Sequence, residues 1–341
     1  MKYLVLTIGI VSLVSCQIIK GDNTEQRKSD EYELLDQAKV FFQPLSEIDI
    51  PEQDPDKVKI GKYLFYDTRL SEKGNISCNS CHNLKTYGVD NLQFSPGDSI
   101  GSIGVRNSPT VLHAALHKMQ FWDGRAENVE EQAEGPILNP IEHDIKNKAE
   151  LVSRLKNVQE YNEMFSKAYG SDGITFENIK NAIGAFERTL MPESRFDKYL
   201  EGDLSALNKR EKKGLSSFIN SACITCHNGV ALGGQMYQKF GLNAQYWKST
   251  HSETIDLGLY EVTQDSDDKY FFKVPGLRNV AHTGPYFHDG SVADLEEAVE
   301  IMGYLQTQVD LSKEDVKNIV SFLESLSSDV SKEIKQSPFK K

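Results

Sequence analysis

Three things are missing from this sequence of 341 residues, and each absence closes off a class of protein. No run approaches the ~20 apolar residues that a bilayer-spanning helix needs. No basic excess exists: 38 Lys and Arg stand against 50 Asp and Glu, a net charge of −12. Phosphate backbones bind basic surfaces, so nucleic acid is not expected as a partner. No cysteine is spare for an ordinary disulfide. Of the 5 cysteines, Cys16 sits in the N-terminal leader, and the rest form two close pairs, Cys78 with Cys81 and Cys223 with Cys226. The remainder, 39% hydrophobic and 26% charged, is ordinary for a globular chain of two domains.

The leader "MKYLVLTIGIVSLVSC" has one lysine, then an apolar run from Tyr3 to Val14. It reads as an export signal over residues 1–16. "LVSC" resembles a bacterial lipoprotein signal, which implies cleavage before Cys16 and a lipid anchor on it. Gln17 follows in place of the aspartate that often retains lipoproteins at the inner membrane. The expected location is therefore periplasmic, on the outer membrane's inner leaflet. Residues 17–30 are polar and read as a flexible tether, and 331–341 as a polar tail.

Both cysteine pairs are followed directly by histidine, His82 and His227. Cys-x-x-Cys-His reads as a covalent haem c attachment site. Two thiols a helical turn apart can add across two vinyl groups of a porphyrin, and the histidine then supplies an imidazole to the iron. Two other readings compete. A thioredoxin-like pair would sit in a βαβ pattern, and none surrounds either unit. One four-cysteine zinc site would leave both histidines without a role. Two covalent haems are the expectation.

Helical periodicity dominates. Helices are predicted over 31–42, 56–66, 127–134, 148–169, 175–190, 208–219, 294–303 and 312–326, with N-caps at Thr175 and Ser312. The segments 83–110 and 228–292 are long and loop-like. The fold expected is mostly α: two cytochrome c-like haem domains, 31–190 and 191–330, with long loops wrapping the haems.

Two further blocks follow the haem units: "RNSPTVLHAALHKMQFWDGRAENVEEQAEGPILNPIEH" from Arg106, and "FKVPGLRNVAHTGPYFHDGSVADLEEAVEIM" from Phe272. With "AFERTL" and "SRFDKYLEGD" they resemble the bacterial di-haem cytochrome c peroxidase family, from about residue 35 to about residue 325. The resemblance implies reduction of hydrogen peroxide to water by electrons from a small cytochrome or cupredoxin. It implies that the haem on Cys78, Cys81 and His82 meets peroxide, and that the haem on Cys223, Cys226 and His227 relays electrons. Met302, fourteen residues beyond His288, matches the relay haem's second ligand; Met236 competes on spacing alone. Gln132 and Glu142 match the peroxide pocket, where a carboxylate can shuttle a proton between the two oxygens. Trp122 matches a tryptophan between the haems. A calcium ion is implied at the Asn107 side chain and the carbonyls of Thr283 and Pro285. A homodimer is implied too.

The sequence departs from the family in two places. Many members carry a ligating histidine sixteen residues past the first haem histidine; here that residue is Asp98. No histidine occurs over 83–112, and His113 and His117, on an expected helix, are read as structural. The peroxide site is therefore expected to be open at rest. His143 stands where the family commonly has methionine. Two alternatives are kept: a di-haem oxidase that modifies a partner protein, disfavoured because that branch has tyrosine at the position of Met302, and a di-haem electron carrier, which would not need Gln132 and Glu142.

Overall fold

The computed structural model describes residues 22–339, with side chains from Asp30 onward. The leader, Cys16 and the first part of the tether lie outside the described residues. The chain is mostly helical. Its helices are α1 (Asp22–Phe41), α2 (Pro55–Tyr66), α3 (Cys78–Cys81), α4 (Val129–Leu138), α5 (Lys148–Lys156), α6 (Gln159–Tyr169), α7 (Phe176–Glu187), α8 (Arg195–Leu200), α9 (Lys209–Asn220), α10 (Tyr246–Ser249), α11 (Tyr260–Thr263), α12 (Leu295–Met302) and α13 (Lys313–Ser325). The two strands, β1 (Tyr237–Lys239) and β2 (Phe271–Lys273), pair antiparallel.

Side-chain caps fix most helix starts, because the first amides of a helix lack internal partners. Thr175 accepts from the Asn178 amide and Ser312 from the Asp315 amide, as expected. Asn128 and Asn147 cap α4 and α5 in the same way. Asn208 and Glu211 form a reciprocal capping box on α9. The segment predicted as one helix over 148–169 is two, because the chain leaves the helix at Asn157 and restarts after Val158.

Each half is organised around one close helix pair. In the first, α2 crosses α7 at Gly61, where a Cβ would stand 1.9 Å from the Ala182 carbonyl oxygen. In the second, α9 crosses α13 at Gly214, where a Cβ would stand 1.8 Å from the Asn318 carbonyl oxygen. Only glycine lets the backbones approach this far. Around α2 and α7, Ile60, Leu64, Phe165, Ile179 and Ile183 form one core. Around α9 and α13, Phe196, Leu215, Phe218, Phe322 and Leu323 form another.

The two chain ends cross the division between these two cores. Leu35, Ala38 and Phe42 of α1 belong to the second core, with Phe196 and Phe218. Burying Leu35 and Phe42 there contributes roughly 1.5–3 kcal/mol each. α1 also begins at Asp22, so the end of the expected tether is helical; Glu25, Gln26, Arg27 and Lys28 all favour helix. The polar tail is tied to the first half. Val330 and Ile334 pack with Phe65 and Phe186, and Lys62 donates to the Glu333 carbonyl at 2.6 Å. The apolar residues of the terminal segments choose the core they join, and that choice is not local in sequence.

Two candidate haem cavities

The segments 83–110 and 228–292 are mostly irregular, and they form walls of two cavities. The second-half cavity measures about 490 Å³ and is lined by Cys223, Cys226, His227, Phe240 and Met302, among others. The first-half cavity measures about 630 Å³ and is lined by Cys78, Cys81, His82, Gln132 and Glu142, among others. Both fall in the size range of cofactor sites.

Local structure aims each thiol pair and histidine into its cavity. In the first unit, α3 puts Cys78 and Cys81 one turn apart, and the His82 amide donates to the Cys78 carbonyl at 2.9 Å. In the second, a 3₁₀ turn over Cys223–Thr225 does the same, and the His227 amide donates to the Cys223 carbonyl at 3.0 Å. Each imidazole is then oriented from behind. His82 Nδ1 lies 3.0 Å from the Pro109 carbonyl oxygen, and His227 Nδ1 lies 3.2 Å from that of Leu232. A carbonyl can only accept, so Nδ1 carries the proton and Nε2 keeps its lone pair for a metal. Burial lowers the basicity of both rings, to a pKa of about 4 for His227, which keeps that lone pair free at neutral pH.

The competing cysteine chemistries do not fit this geometry. Burial pushes all four thiols up, Cys81 and Cys223 to about 11. Redox-active cysteines need the opposite shift. The two pairs face different cavities, so they cannot complete one zinc tetrahedron. The donor set instead fits an iron porphyrin in each cavity. An orphaned polar atom agrees: His288 Nε2, in the wall of the second cavity, is buried with no hydrogen-bond partner among the described residues. Sequence reasoning used His288 only to count to Met302.

The two cavities differ in chemistry. Met302 ends α12 and packs with Phe240, Phe287 and Trp122. It shares its cavity with His227, whereas Met236 is 40% exposed and outside that lining. A π-helical turn, Gly303–Thr307, follows Met302. In the first cavity, Gln132 lies on α4 and Glu142 in the turn after it. Asn139 Nδ2 donates to Glu142 Oε1 at 2.6 Å. Burial raises the Glu142 pKa against that bond. Two more residues of this lining were not anticipated as participants. His143 is held by its Nδ1 against the Leu70 carbonyl at 2.9 Å. Glu187, the last residue of α7, is pushed up to about 8 by burial and then by Glu130, so it is protonated at neutral pH. The signal for Glu187 was its place on the buried face of an apolar helix.

Trp122 lines both cavities, and its indole Nε1 donates to the Asn107 carbonyl at 2.9 Å. Asn107, Thr283 and Pro285 all line the second cavity. Asn107 Nδ2 donates to the Leu92 carbonyl, which leaves Oδ1 as a possible ligand. Asp98 lines neither cavity. Its carboxylate accepts from Ser71 Oγ (2.9 Å), the Lys73 amide (2.6 Å) and the Asn75 amide (3.0 Å). Its own amide donates to the Glu142 carbonyl at 2.8 Å. His113 bonds to the Pro192 carbonyl and lines neither cavity. His117 lines the first cavity. The helix expected around these two is one 3₁₀ turn, Ala114–Leu116, entered through His113 at φ 64°.

Comparison with known proteins gives consistent matches. The family model for di-haem cytochrome c peroxidases matches residues 55–205. The chain is 45% identical to the cytochrome c551 peroxidase of Nitrosomonas europaea over 285 residues, covering 82% of each chain. It is 45% identical to that of Pseudomonas aeruginosa over 307 residues, covering 86% of each. Among solved structures it is similar to a MauG-like protein associated with microbial copper homeostasis, with a TM-score of 0.73 and 29% identity over 87% of this chain and 95% of that one. The diheme peroxidase BthA of Burkholderia thailandensis shares the fold at a TM-score of 0.69 and 20% identity, over 84% of this chain and 90% of that one.

Proposed function

The chain belongs to the di-haem cytochrome c peroxidase family and is a haem peroxidase, and from that premise we propose how its two cavities divide the work. The first-half cavity takes hydrogen peroxide. The second-half cavity receives electrons from a small cytochrome or cupredoxin and passes them on. The observation that carries this assignment is the contrast in lining: Gln132 and Glu142 in the first cavity, Met302 among aromatic rings in the second.

Cys78 and Cys81 in one cavity, and Cys223 and Cys226 in the other, would hold the porphyrins through thioether bonds, with His82 and His227 as iron ligands. When bound, the iron of the first cavity supplies the electrons that reduce the O–O bond. Glu142 takes a proton from one peroxide oxygen at its carboxylate and returns it to the other. Burial raises its pKa, which makes the carboxyl a better proton carrier than an exposed glutamate. The Gln132 amide orients peroxide by hydrogen bonds. Met302 Sδ would be a further iron ligand beside His227 in the other cavity, where a thioether favours the reduced metal. Trp122 sits in the wall shared by the two cavities and offers an aromatic ring for electron passage between them. Asn107 Oδ1 and the carbonyls of Thr283 and Pro285 form a neutral oxygen set that suits calcium completed by waters.

The Asp98 carboxylate is spent on the turn at Ser71, Lys73 and Asn75, so the loop that carries it sends no ligand into the peroxide cavity. The two other imidazoles of this lining are engaged at Nδ1, His143 by the Leu70 carbonyl and His117 by Lys273, and on this reading the peroxide site is open in the fully oxidised enzyme. We further assign the mature protein to the periplasm as a homodimer, anchored by a lipid on Cys16. Radiolabelled palmitate should enter the wild type and not a Cys16→Ser variant.

One experiment tests the central reading: steady-state peroxide turnover by the fully oxidised and the half-reduced protein, with a small reduced cytochrome as donor, beside a resting electron paramagnetic resonance spectrum. Equal turnover without a lag, with one high-spin ferric signal, is expected. Two low-spin signals and a lag would refute the open site. Absence of turnover with every donor would refute the peroxide assignment.

A further inference from the structure

The peroxidase reading leaves the side chain of Lys273, at the end of β2, without a task. It is 4% exposed and lies in the wall between the two cavities, lining both. Its amide donates to the Trp122 carbonyl at 2.8 Å, which fixes the strand beside that indole. Its Nζ meets one hydrogen-bond partner, His117 Nδ1, at 3.2 Å. Among the described residues no carboxylate pairs with it. Asp123, the acid that acts on it from a distance, is already engaged by Arg106 and Arg125.

This arrangement is costly as it stands. A buried ammonium with only a neutral partner forfeits several kcal/mol of hydration. Burial pulls its pKa down to about 8, so it is still largely charged at neutral pH. The imidazole beside it is held neutral by its own burial and by the lysine. His117 packs closely against two glycines. A Cβ at Gly234 would stand 2.2 Å from its Cδ2, and one at Gly276 would stand 2.6 Å from its Nε2. Two glycines of the second half thus make room for a histidine of the first, whose Nδ1 then accepts one proton of the lysine. Among the described residues the other two ammonium protons have no acceptor.

We propose that Lys273 is the counter-cation for a porphyrin propionate at the wall between the cavities, and that His117 positions it. A propionate is the anionic group that a porphyrin brings, and Lys273 lines the space on both sides of the wall. A fixed positive charge beside that carboxylate disfavours the ferric state of the attached iron, so Lys273 sets the driving force between the two sites. The inference rests on the di-haem reading of the cavities and is independent of what the peroxide pocket does.

The test is spectroelectrochemical titration of both haems in wild type, Lys273→Met and Lys273→Arg, with haem content measured by the pyridine haemochrome. Lys273→Met should lower at least one potential by a tenfold change in the reduction equilibrium, which is about 59 mV for one electron. Lys273→Arg, which keeps the charge, should hold both couples within about threefold of wild type. A purely structural lysine would not separate the two variants. Both potentials unmoved in Lys273→Met would overturn the proposal. A crystal structure of the wild-type holoprotein decides the matter even if neither variant loads haem. A propionate oxygen within about 3.2 Å of Nζ supports it, and none within 4 Å overturns it, whether or not the enzyme turns over peroxide.

Discussion

Replacing Asp98 by asparagine removes one charge and turns one acceptor oxygen into a donor. The wild-type carboxylate is 2% exposed and accepts three hydrogen bonds, from Ser71 Oγ and the amides of Lys73 and Asn75. Each bond to a charged acceptor contributes about 1.5–3 kcal/mol. Asparagine can still accept from Ser71 and Asn75 on one oxygen, as a neutral group. It then sets its NH₂ against the Lys73 amide, where two donors meet. Losing that bond and weakening the others sums to about 3 kcal/mol of local stability, or roughly a hundredfold in the opening equilibrium at 1.4 kcal/mol per tenfold. Hydrogen–deuterium exchange over residues 68–76 reads this directly. Exchange at Lys73 and Asn75 should quicken about a hundredfold in the variant, with α9 and α13 unchanged. A change below threefold would refute the view that Asp98 latches the turn leading into the haem unit. The pH dependence has a definite sign. Burial alone would raise the Asp98 pKa, but the two amides and the hydroxyl outweigh it and hold it below the ordinary 3.8. The latch is therefore at full strength above pH 3.8 and is lost as pH falls through the folded-state value.

Three further outcomes are expected. Glu142→Gln should cut kcat/KM for peroxide by roughly 10²–10⁴, the span of general acid–base contributions; steady-state assays with the haem content matched would show it. Asp197→Ala breaks a bidentate pair with Arg278, at 2.7 and 2.8 Å and fully buried, which should cost about 3–5 kcal/mol in urea unfolding. Burial would raise the Asp197 pKa, but Arg278 brings it to about 2, so the wild-type contribution persists above pH 3.8 and fades toward pH 2. Gly276→Ala places a methyl 2.6 Å from His117 Nε2 and 3.0 Å from the Ala231 carbonyl oxygen; this overpacking should cost about 1–3 kcal/mol, seen as a lower urea midpoint at unchanged slope.

Much of this protein is written in short sequence spans. Cys-x-x-Cys-His specifies its own local geometry, because a single turn brings both thiols and the imidazole to one side. Thr175 and Ser312 announce helix starts because a cap acts within three residues. The fold class and the family were legible for the same reason, from local periodicity and ordered blocks of motif. Tertiary structure decided the rest. It placed α1 on the second core and tied Ile334 to the first. It turned Asp98 away from the cavity and into the turn at Ser71. It brought His117 from one half against Lys273 from the other, 156 residues away. Each of these depends on which distant surfaces meet. Burial then shifts the protonation equilibria of Glu142, Glu187 and Lys273 toward their neutral forms, and desolvation is a property of the assembled neighbourhood that no single residue carries along the chain.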